Sequence, residues 1–313
     1  MNTLCHELWS SVSIDHKGQV YSCCHNKPQK IGNIYENALC NIINAPEIMR
    51  HRKDSMNGSL YCFRDCNWIR SSAEGLPEGV TVDYSDLRTI TIAFGEMCNI
   101  ACIMCKQRQR EHQDEMMLDH RVLIKNIDPS PFQTIFLTGG EPLAISECRR
   151  YMEHLASVNK KFGLSTNGTL LDKNVSDFLA PNIDFITLSI NAATKETHEK
   201  VNIGSDFDLV LKNLEYIRGL REANGLEFDI IGRMTLTTLS LHEIPLFIRT
   251  FTELGVDRIN FGYDKATVPS FLMNKSEFTK GLKKEISSAI ASADIERLDL
   301  RRLEMIGLLD KVI

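Results

Sequence analysis

Apolar residues keep two different rhythms along this chain. Near the N-terminus they come in short clumps: Val12 to Ile14 and Val20 to Cys23 flank Asp-His-Lys-Gly, with Asp15 and Gly18 as turn residues, which predicts a β-hairpin. After it come Ile31 to Ile34, a helix near Glu36 to Ile43 and a second helix over Pro46 to Met56. Ser71 to Tyr84 holds two Gly and a Pro with little helical periodicity and reads as a linker. From Leu87 onward, apolar runs alternate with amphipathic helices. The predicted strands are Thr89 to Phe94, Thr134 to Thr138, Phe162 to Thr166, Phe185 to Ile190, Phe228 to Met234 and Arg258 to Phe261. The clearest helix is Phe207 to Ala223, where Leu209, Leu211, Leu214, Ile217 and Leu220 recur at near-helical spacing. After Pro269 the pattern turns helical, with Ser276 to Ala291 amphipathic and Ile295 to Val312 rich in Leu and Arg. Alternating strands and helices imply an α/β fold with a parallel sheet and right-handed crossovers.

Composition changes this picture little. The 313 residues are 43% hydrophobic and 25% charged, with net charge -5, so no global basic field argues for nucleic acid. A local basic cluster, Lys106, Arg108 and Arg110, reads as a solvated helix start; in a functional reading it meets an anionic substrate. The N-terminal residues lack a basic stretch followed by an apolar one, and no run reaches the length of a membrane span. We therefore expect a cytoplasmic protein. The 10 Cys group as metal-ligand candidates, which fits a reducing compartment.

Three of those cysteines, Cys98, Cys102 and Cys105, lie close together as C-x3-C-x2-C. Thiolates so spaced can wrap one face of a cubane 4Fe-4S cluster and leave one iron without a protein ligand. A structural zinc site is normally closed by four ligands, usually two pairs, and no second pair lies nearby. Further on, the run Thr134 to Thr138 ends in Gly139-Gly140-Glu141-Pro142, a strand running into a tight turn whose paired glycines leave backbone carbonyls open to an ammonium group.

The cysteine loop resembles that of the radical S-adenosylmethionine (SAM) enzymes, with Met104 where the family often has an aromatic residue. Gly139, Gly140, Glu141 and Pro142 resemble the family motif that faces the methionyl amine of SAM. The resemblance implies a partial (β/α)6 barrel, with SAM chelating the free iron through its amino and carboxylate groups. Ligands of such sheets bind outside the carboxyl ends of the strands, where both motifs fall. Thr166 and Asn167 lie in a Ser-Thr-Asn-Gly stretch similar to the family's turn beneath the cofactor. Ser189 and Asn191 lie in a run similar to the family's S-I-D-G…H segment, with Asn191 where an Asp is common. Arg233 is a candidate partner for the SAM carboxylate, since a guanidinium matches a carboxylate fork. Each could equally be a turn or capping residue. Tyr263 and Asp264 are candidates to face substrate.

The N-terminal segment resembles the twitch or SPASM auxiliary-cluster region, placed ahead of the barrel. Its pattern is C, hairpin, CC, GNI, N, R, G, C-x3-C. Carried over, the ligands are Cys5, one of Cys23 and Cys24, Cys62 and Cys66, enough for one closed cluster; a zinc knuckle of the same thiolates is the alternative. Cys40 is expected in the small domain's core, and Cys148 in a helix packed outside the barrel. The segments are then 1–72 (Cys-rich domain), 73–86 (linker), 87–275 (partial barrel) and 276–313 (helical extension). The resemblance implies two 4Fe-4S clusters, SAM and an external electron donor such as flavodoxin or ferredoxin. It points first to oxidative modification of a peptide or protein side chain. The alternatives are a dehydrogenase or epimerase of a small polar metabolite such as a sugar or aminoglycoside, and a non-catalytic zinc-binding interaction module. No catalytic side chain is singled out.

Overall fold

The computed structural model describes residues 3–23, 28–62, 66, 70–71, 79–105 and 116–310. Cys24, the basic cluster Lys106, Arg108 and Arg110, and residues 72–78 at the start of the linker fall outside them. In chain order the elements begin with β1 (Thr3–Leu4), α1 (Glu7–Ser10), β2 (Ser11–Ile14), β3 (Gln19–Tyr21), β4 (Lys30–Asn33), α2 (Leu39–Ile42), α3 (Pro46–Met56) and β5 (Arg70–Ser71). Next come β6 (Thr89–Ala93), β7 (Ala101–Cys102), α4 (His120–Asn126), β8 (Thr134–Thr138), α5 (Ser146–Ser157), β9 (Phe162–Thr166), α6 (Lys173–Leu179), β10 (Ile183–Ser189), α7 (Lys195–Val201) and β11 (Asn202–Ile203). The last are α8 (Phe207–Asn224), β12 (Asp229–Leu236), α9 (Ile244–Glu253), β13 (Arg258–Tyr263), α10 (Val268–Asn274), α11 (Ser276–Ala291), β14 (Leu298–Asp299) and α12 (Arg301–Met305).

The chain forms two compact units, residues 1–97 with 114–163, and residues 98–113 with 164–313. In the first, the strand order is β8-β6-β2-β3-β4. The hairpin of β2 and β3 forms as expected, with Gly18 at φ +74° in its turn. Its outer neighbour β4 extends it antiparallel, while β2 pairs parallel to β6 and β6 parallel to β8. In the second unit, β10, β12, β13 and β14 lie side by side, all parallel. This is the α/β architecture with parallel strands that the alternation implies.

A parallel sheet covered by helices on both faces reads as continuous apolar runs. β12 instead alternates: Ile230, Gly232, Met234 and Leu236 are buried while Asp229, Ile231, Arg233 and Thr235 are half-buried. One face is therefore sealed by helices such as α9, whose Phe247, Ile248 and Phe251 are fully buried, and the other stays polar and partly open. The 18-residue α8 begins and ends where the sequence supplies caps. Asp206 accepts a hydrogen bond from the Leu209 N–H at the start of α8, and Gly225 ends it at φ +60°.

Three expectations need correction. The helix near Glu36 to Ile43 shrinks to the four-residue α2, because Glu36 and Asn37 instead close a turn onto the Asn33 carbonyl. Cys40 is exposed on that short helix and lies outside the core. The tail from Ile295 is not one helix, since Leu298 and Asp299 pair with Ile259 and Asn260 at the edge of β13. Cys148 is fully buried among the core residues of α5.

Candidate functional site

The C-x3-C-x2-C loop is held by backbone. Cys102 in β7 pairs antiparallel with Asn202 in β11, and the Ile103 N–H donates to the Val201 carbonyl at 2.9 Å. The Cys105 N–H then donates to the Cys102 carbonyl at 3.1 Å, a turn that brings the third cysteine back past the second. All three thiols are half-buried.

The Thr166–Gly168 turn lies against the front of this loop. Asn167 donates its amide to Asn99 Oδ1 at 2.9 Å and toward Cys98 Sγ at 3.9 Å, while its Oδ1 accepts from the N–H and hydroxyl of Thr169. Asn167 is thus brought to the cysteine loop. Thr166 accepts from the Gly168 N–H, a turn role. Ser189 ends β10 half-buried. Asn191 is buried at φ +65°, accepts from the Thr235 N–H at 2.8 Å and donates to Asn202 Oδ1 at 2.9 Å.

Arg233 lies on the half-open face of β12 and, among the described residues, donates only to Asn260 Oδ1, at 3.4 Å. Burial pushes its guanidinium below the usual arginine range, and the nearby Arg302 charge adds to the effect against the opposing pull of Asp299. Asp299 accepts three hydrogen bonds from Arg301, and among the described residues no carboxylate reaches Arg233 at hydrogen-bond distance. Capacity for an incoming carboxylate remains.

In the other unit, the Gly139-Gly140-Glu141 turn grips the residues just before Cys98. Gly140 donates to the Gly95 carbonyl and Glu141 to the Met97 carbonyl, both at 2.8 Å. A Cβ on Gly140 would stand 2.0 Å from the Met97 carbonyl oxygen, so only glycine permits this approach. The Glu141 carboxylate is buried and accepts from the Leu143 N–H, which ties it to its own turn; Pro142 follows as the turn leads toward α5.

The same unit carries the second thiol set. Burial pushes the Cys5 thiol up to about 12, with the Cys23 and Cys62 thiols beside it adding to the rise. Tyr61 feels the same three groups after the larger effect of burial. Cys5, Cys23 and Cys62 therefore converge, and Cys66 is half-buried nearby in sequence. They sit by α3, whose Ser55 hydroxyl accepts from the Cys5 N–H at 3.0 Å. The buried side of this helix is unusually polar: Ile48, His51, Arg52 and Ser55. His51, 4% exposed and 5.9 Å from the Tyr61 ring, has a buried Nδ1 without a hydrogen-bond partner among the described residues. Such an orphan is costly in a closed core. The soft thiolates of Cys5, Cys23 and Cys62 fit an iron-sulfur cluster, and the three on the β7 loop fit one as well.

Arg52 explains the N and R of the N-terminal pattern. Its guanidinium, 2% exposed, donates to the carbonyls of Leu8 and Val80 and to Asn44 Oδ1, while Asn44 also bonds both backbone groups of Val82. It clamps the Cys5 segment and the end of the linker to α3. A separate cluster, Asp119, His120 and Glu147, could also hold a cation, but Arg121 and Arg150 already engage its carboxylates.

Residues 92–225 match the radical SAM superfamily and residues 5–67 match an iron-sulfur cluster-binding domain, SPASM. The chain therefore contains a radical SAM domain. It carries a SPASM-like domain ahead of the SAM-binding core, and with it the superfamily's SAM, 4Fe-4S cluster and auxiliary cluster. Among curated relatives, a probable GTP 3′,8-cyclase of Methanococcus maripaludis is 25% identical over 134 residues, 42% of this chain and 45% of that protein. The chain thus spans about half the length of such relatives. A probable GTP 3′,8-cyclase of Metallosphaera sedula is 24% identical over 226 residues, 69% of this chain and 68% of that protein. A crystal structure of Streptococcus suis SuiB bound to precursor peptide SuiA aligns at TM-score 0.48 and 15% identity, over 93% of this chain and 70% of that one.

Sequence reasoning did not find the β7–β11 ladder, the polar face of α3, or the buried side chains around Asn202. Two-residue strands have no period to read. Arg52 alone had a signal, its place in the N-terminal pattern. No described helix of this radical SAM chain is long and apolar enough to cross a membrane.

Proposed function

We propose that this chain is a radical SAM enzyme that oxidatively modifies a peptide or protein side chain, with its N-terminal cluster taking up the substrate electron. The observation that carries this reading is the presence of two separate thiol sets, one of three cysteines on a backbone-held loop and one gathered against α3. When bound, the cluster and SAM supply a 5′-deoxyadenosyl radical that removes a hydrogen atom from an unactivated C–H of the substrate. Cys98, Cys102 and Cys105 hold that cluster, and the Gly139-Gly140-Glu141-Pro142 turn receives the methionyl amine. Thr166, Asn167, Ser189 and Asn191 shape the floor on which the cofactor lies. Arg233 offers its free hydrogen-bonding capacity to the SAM carboxylate. Cys5, Cys23 or Cys24, Cys62 and Cys66 hold the auxiliary cluster. The reductant is an external donor such as flavodoxin or ferredoxin, in a reducing compartment such as the cytoplasm.

Cys148 is buried in α5 and Cys40 lies exposed on α2; reading neither as a hydrogen-atom donor favours oxidation over epimerisation. Turnover in deuterated water tests this: the product should carry no deuterium at the abstracted carbon. Deuterium that disappears in Cys148→Ala or Cys40→Ala would establish a thiol donor and overturn the oxidative reading. A second reading, a small polar metabolite with an anionic group, draws on the half-open polar face holding Arg233, and on relatives named GTP 3′,8-cyclases. Binding of candidate peptides against nucleoside triphosphates, with SAM present, separates the two.

A further inference from the structure

Asn202 is fully buried, yet its backbone lies opposite Cys102 in the β7–β11 ladder. Its side chain belongs to a closed lattice. Asn202 Nδ2 donates to the Ile190 carbonyl at 2.9 Å, and Asn202 Oδ1 accepts from Asn191 Nδ2. His198, also fully buried, places Nδ1 2.6 Å from the same carbonyl and Nε2 2.8 Å from the Ser205 hydroxyl. A ring nitrogen that close to a carbonyl carries the proton, so Nε2 accepts from Ser205. The Ser205 N–H in turn donates to the Asn202 carbonyl at 2.9 Å. On the far side, Asn191 Oδ1 holds the Thr235 N–H of β12.

The bond between the two amides runs in one direction, from Asn191 Nδ2 to Asn202 Oδ1, which explains why Asn stands at 191. A carboxylate there could still accept from Thr235 but would face Asn202 Oδ1 with no proton to give. Turning the Asn202 amide to compensate would take its NH2 off the Ile190 carbonyl. The lattice therefore needs an amide at both positions, and through Asn202 it fixes the backbone that pairs with Cys102.

We propose that Asn191, Asn202 and His198 form a positioning device that sets Cys102, and through it the SAM-binding cluster, against the ends of β10 and β12. The proposal rests on Cys98, Cys102 and Cys105 being the ligands of that cluster. A residue that merely supports the fold would lower stability and leave the bound cluster's spectrum alone. A positioning residue changes the spectrum.

The test uses full-length protein, reconstituted anaerobically, reduced and examined by electron paramagnetic resonance with and without SAM. In the wild type, SAM should shift one of two signals, which marks the site-differentiated cluster. Asn202→Ala and the isosteric Asn191→Asp should shift the g values of that signal or abolish its response to SAM, with the auxiliary signal unchanged. His198→Ala should do the same, and His198→Asn, whose amide can still donate to the Ile190 carbonyl, should recover the wild-type spectrum. A wild-type spectrum in both Asn191→Asp and Asn202→Ala would overturn the proposal, whatever their melting temperatures. Equal loss of both signals would overturn it too, reducing the lattice to a support of the fold. No response to SAM in the wild type would instead sink the ligand assignment beneath it.

Discussion

The two thiol sets are built by opposite means. Cys98, Cys102 and Cys105 come from one short stretch, and backbone holds them: a ladder to β11, a turn between Cys102 and Cys105, and the Gly140 approach to Met97. Cys5, Cys23 and Cys62 come from three distant segments, and side chains hold those segments together: Ser55 on the Cys5 N–H, Ser13 on the Cys23 carbonyl, and Arg52 across Leu8, Asn44 and Val80. Backbone devices tolerate almost any side chain and fail when a Cβ or a proline intrudes. Side-chain devices fail one residue at a time.

The largest effect tests whether the two sets are independent. Replacing Cys98, Cys102 and Cys105 together with Ala should abolish dithionite-driven formation of 5′-deoxyadenosine and remove about four of about eight irons per chain. Persisting 5′-deoxyadenosine would break the assignment. Four irons with one zinc in the wild type would leave the first set and overturn the second.

Next is the side-chain device. Burial lowers the Arg52 guanidinium to about 10, and its partners are all neutral. Arg52→Met removes three hydrogen bonds from buried acceptors and should cost roughly 2–4 kcal/mol. Chemical denaturation should show this loss together with loss of N-terminal iron, while the SAM-responsive signal survives. Loss of both in equal measure would erase the contrast.

The backbone device predicts the reverse pattern for Gly140→Ala. With a Cβ 2.0 Å from a backbone oxygen, the turn must shift, at about 1–3 kcal/mol of overpacking. SAM affinity, measured by equilibrium dialysis, should fall while N-terminal iron stays. Unchanged SAM affinity would show that this approach serves the fold alone.

These differences also decide what could be read from the sequence. The C-x3-C-x2-C loop and the Gly-Gly-Glu-Pro turn are local, and the chemistry each needs is written in adjacent residues. The strands Thr134–Thr138 and Phe162–Thr166 and the helices Pro46–Met56 and Ser276–Ala291 match the expected spans because alternation and helical period run through their whole length. On α3, His51, Arg52 and Ser55 look like a solvated face, since periodicity marks apolar positions and the buried side is polar. Cys40 was misplaced because its helix is only four residues long, too short for a face to have meaning. Leu298 and Asp299 add a strand to a Leu- and Arg-rich tail through a two-residue pairing that composition does not reveal.

The smallest effect compares the units through their buried histidines. Burial lowers the pKa of both His51 and His198 from the ordinary 6.5; a nearby Arg50 adds to the effect on His51, and a bond to the Ile190 carbonyl partly opposes it on His198. Below 6.5 the unfolded chain takes up a proton that the folded chain refuses, so each contribution is present above that pH and is lost as pH falls toward the lowered folded value. His198 is locked in a lattice with both nitrogens engaged, whereas His51 Nδ1 has no partner among the described residues. His198→Asn should therefore flatten the fall in stability of apoprotein on acidification from pH 7.5 to about 5.5. A matching His51→Phe variant should flatten it as well and also remove the orphan, so it should raise stability at pH 7.5 where His198→Asn lowers it. Urea titrations across that range give both slopes and offsets. If His51→Phe lowers stability at neutral pH, the orphaned nitrogen is not a cost the fold bears, and the polar face of α3 is structural in the same sense as the Asn202 lattice.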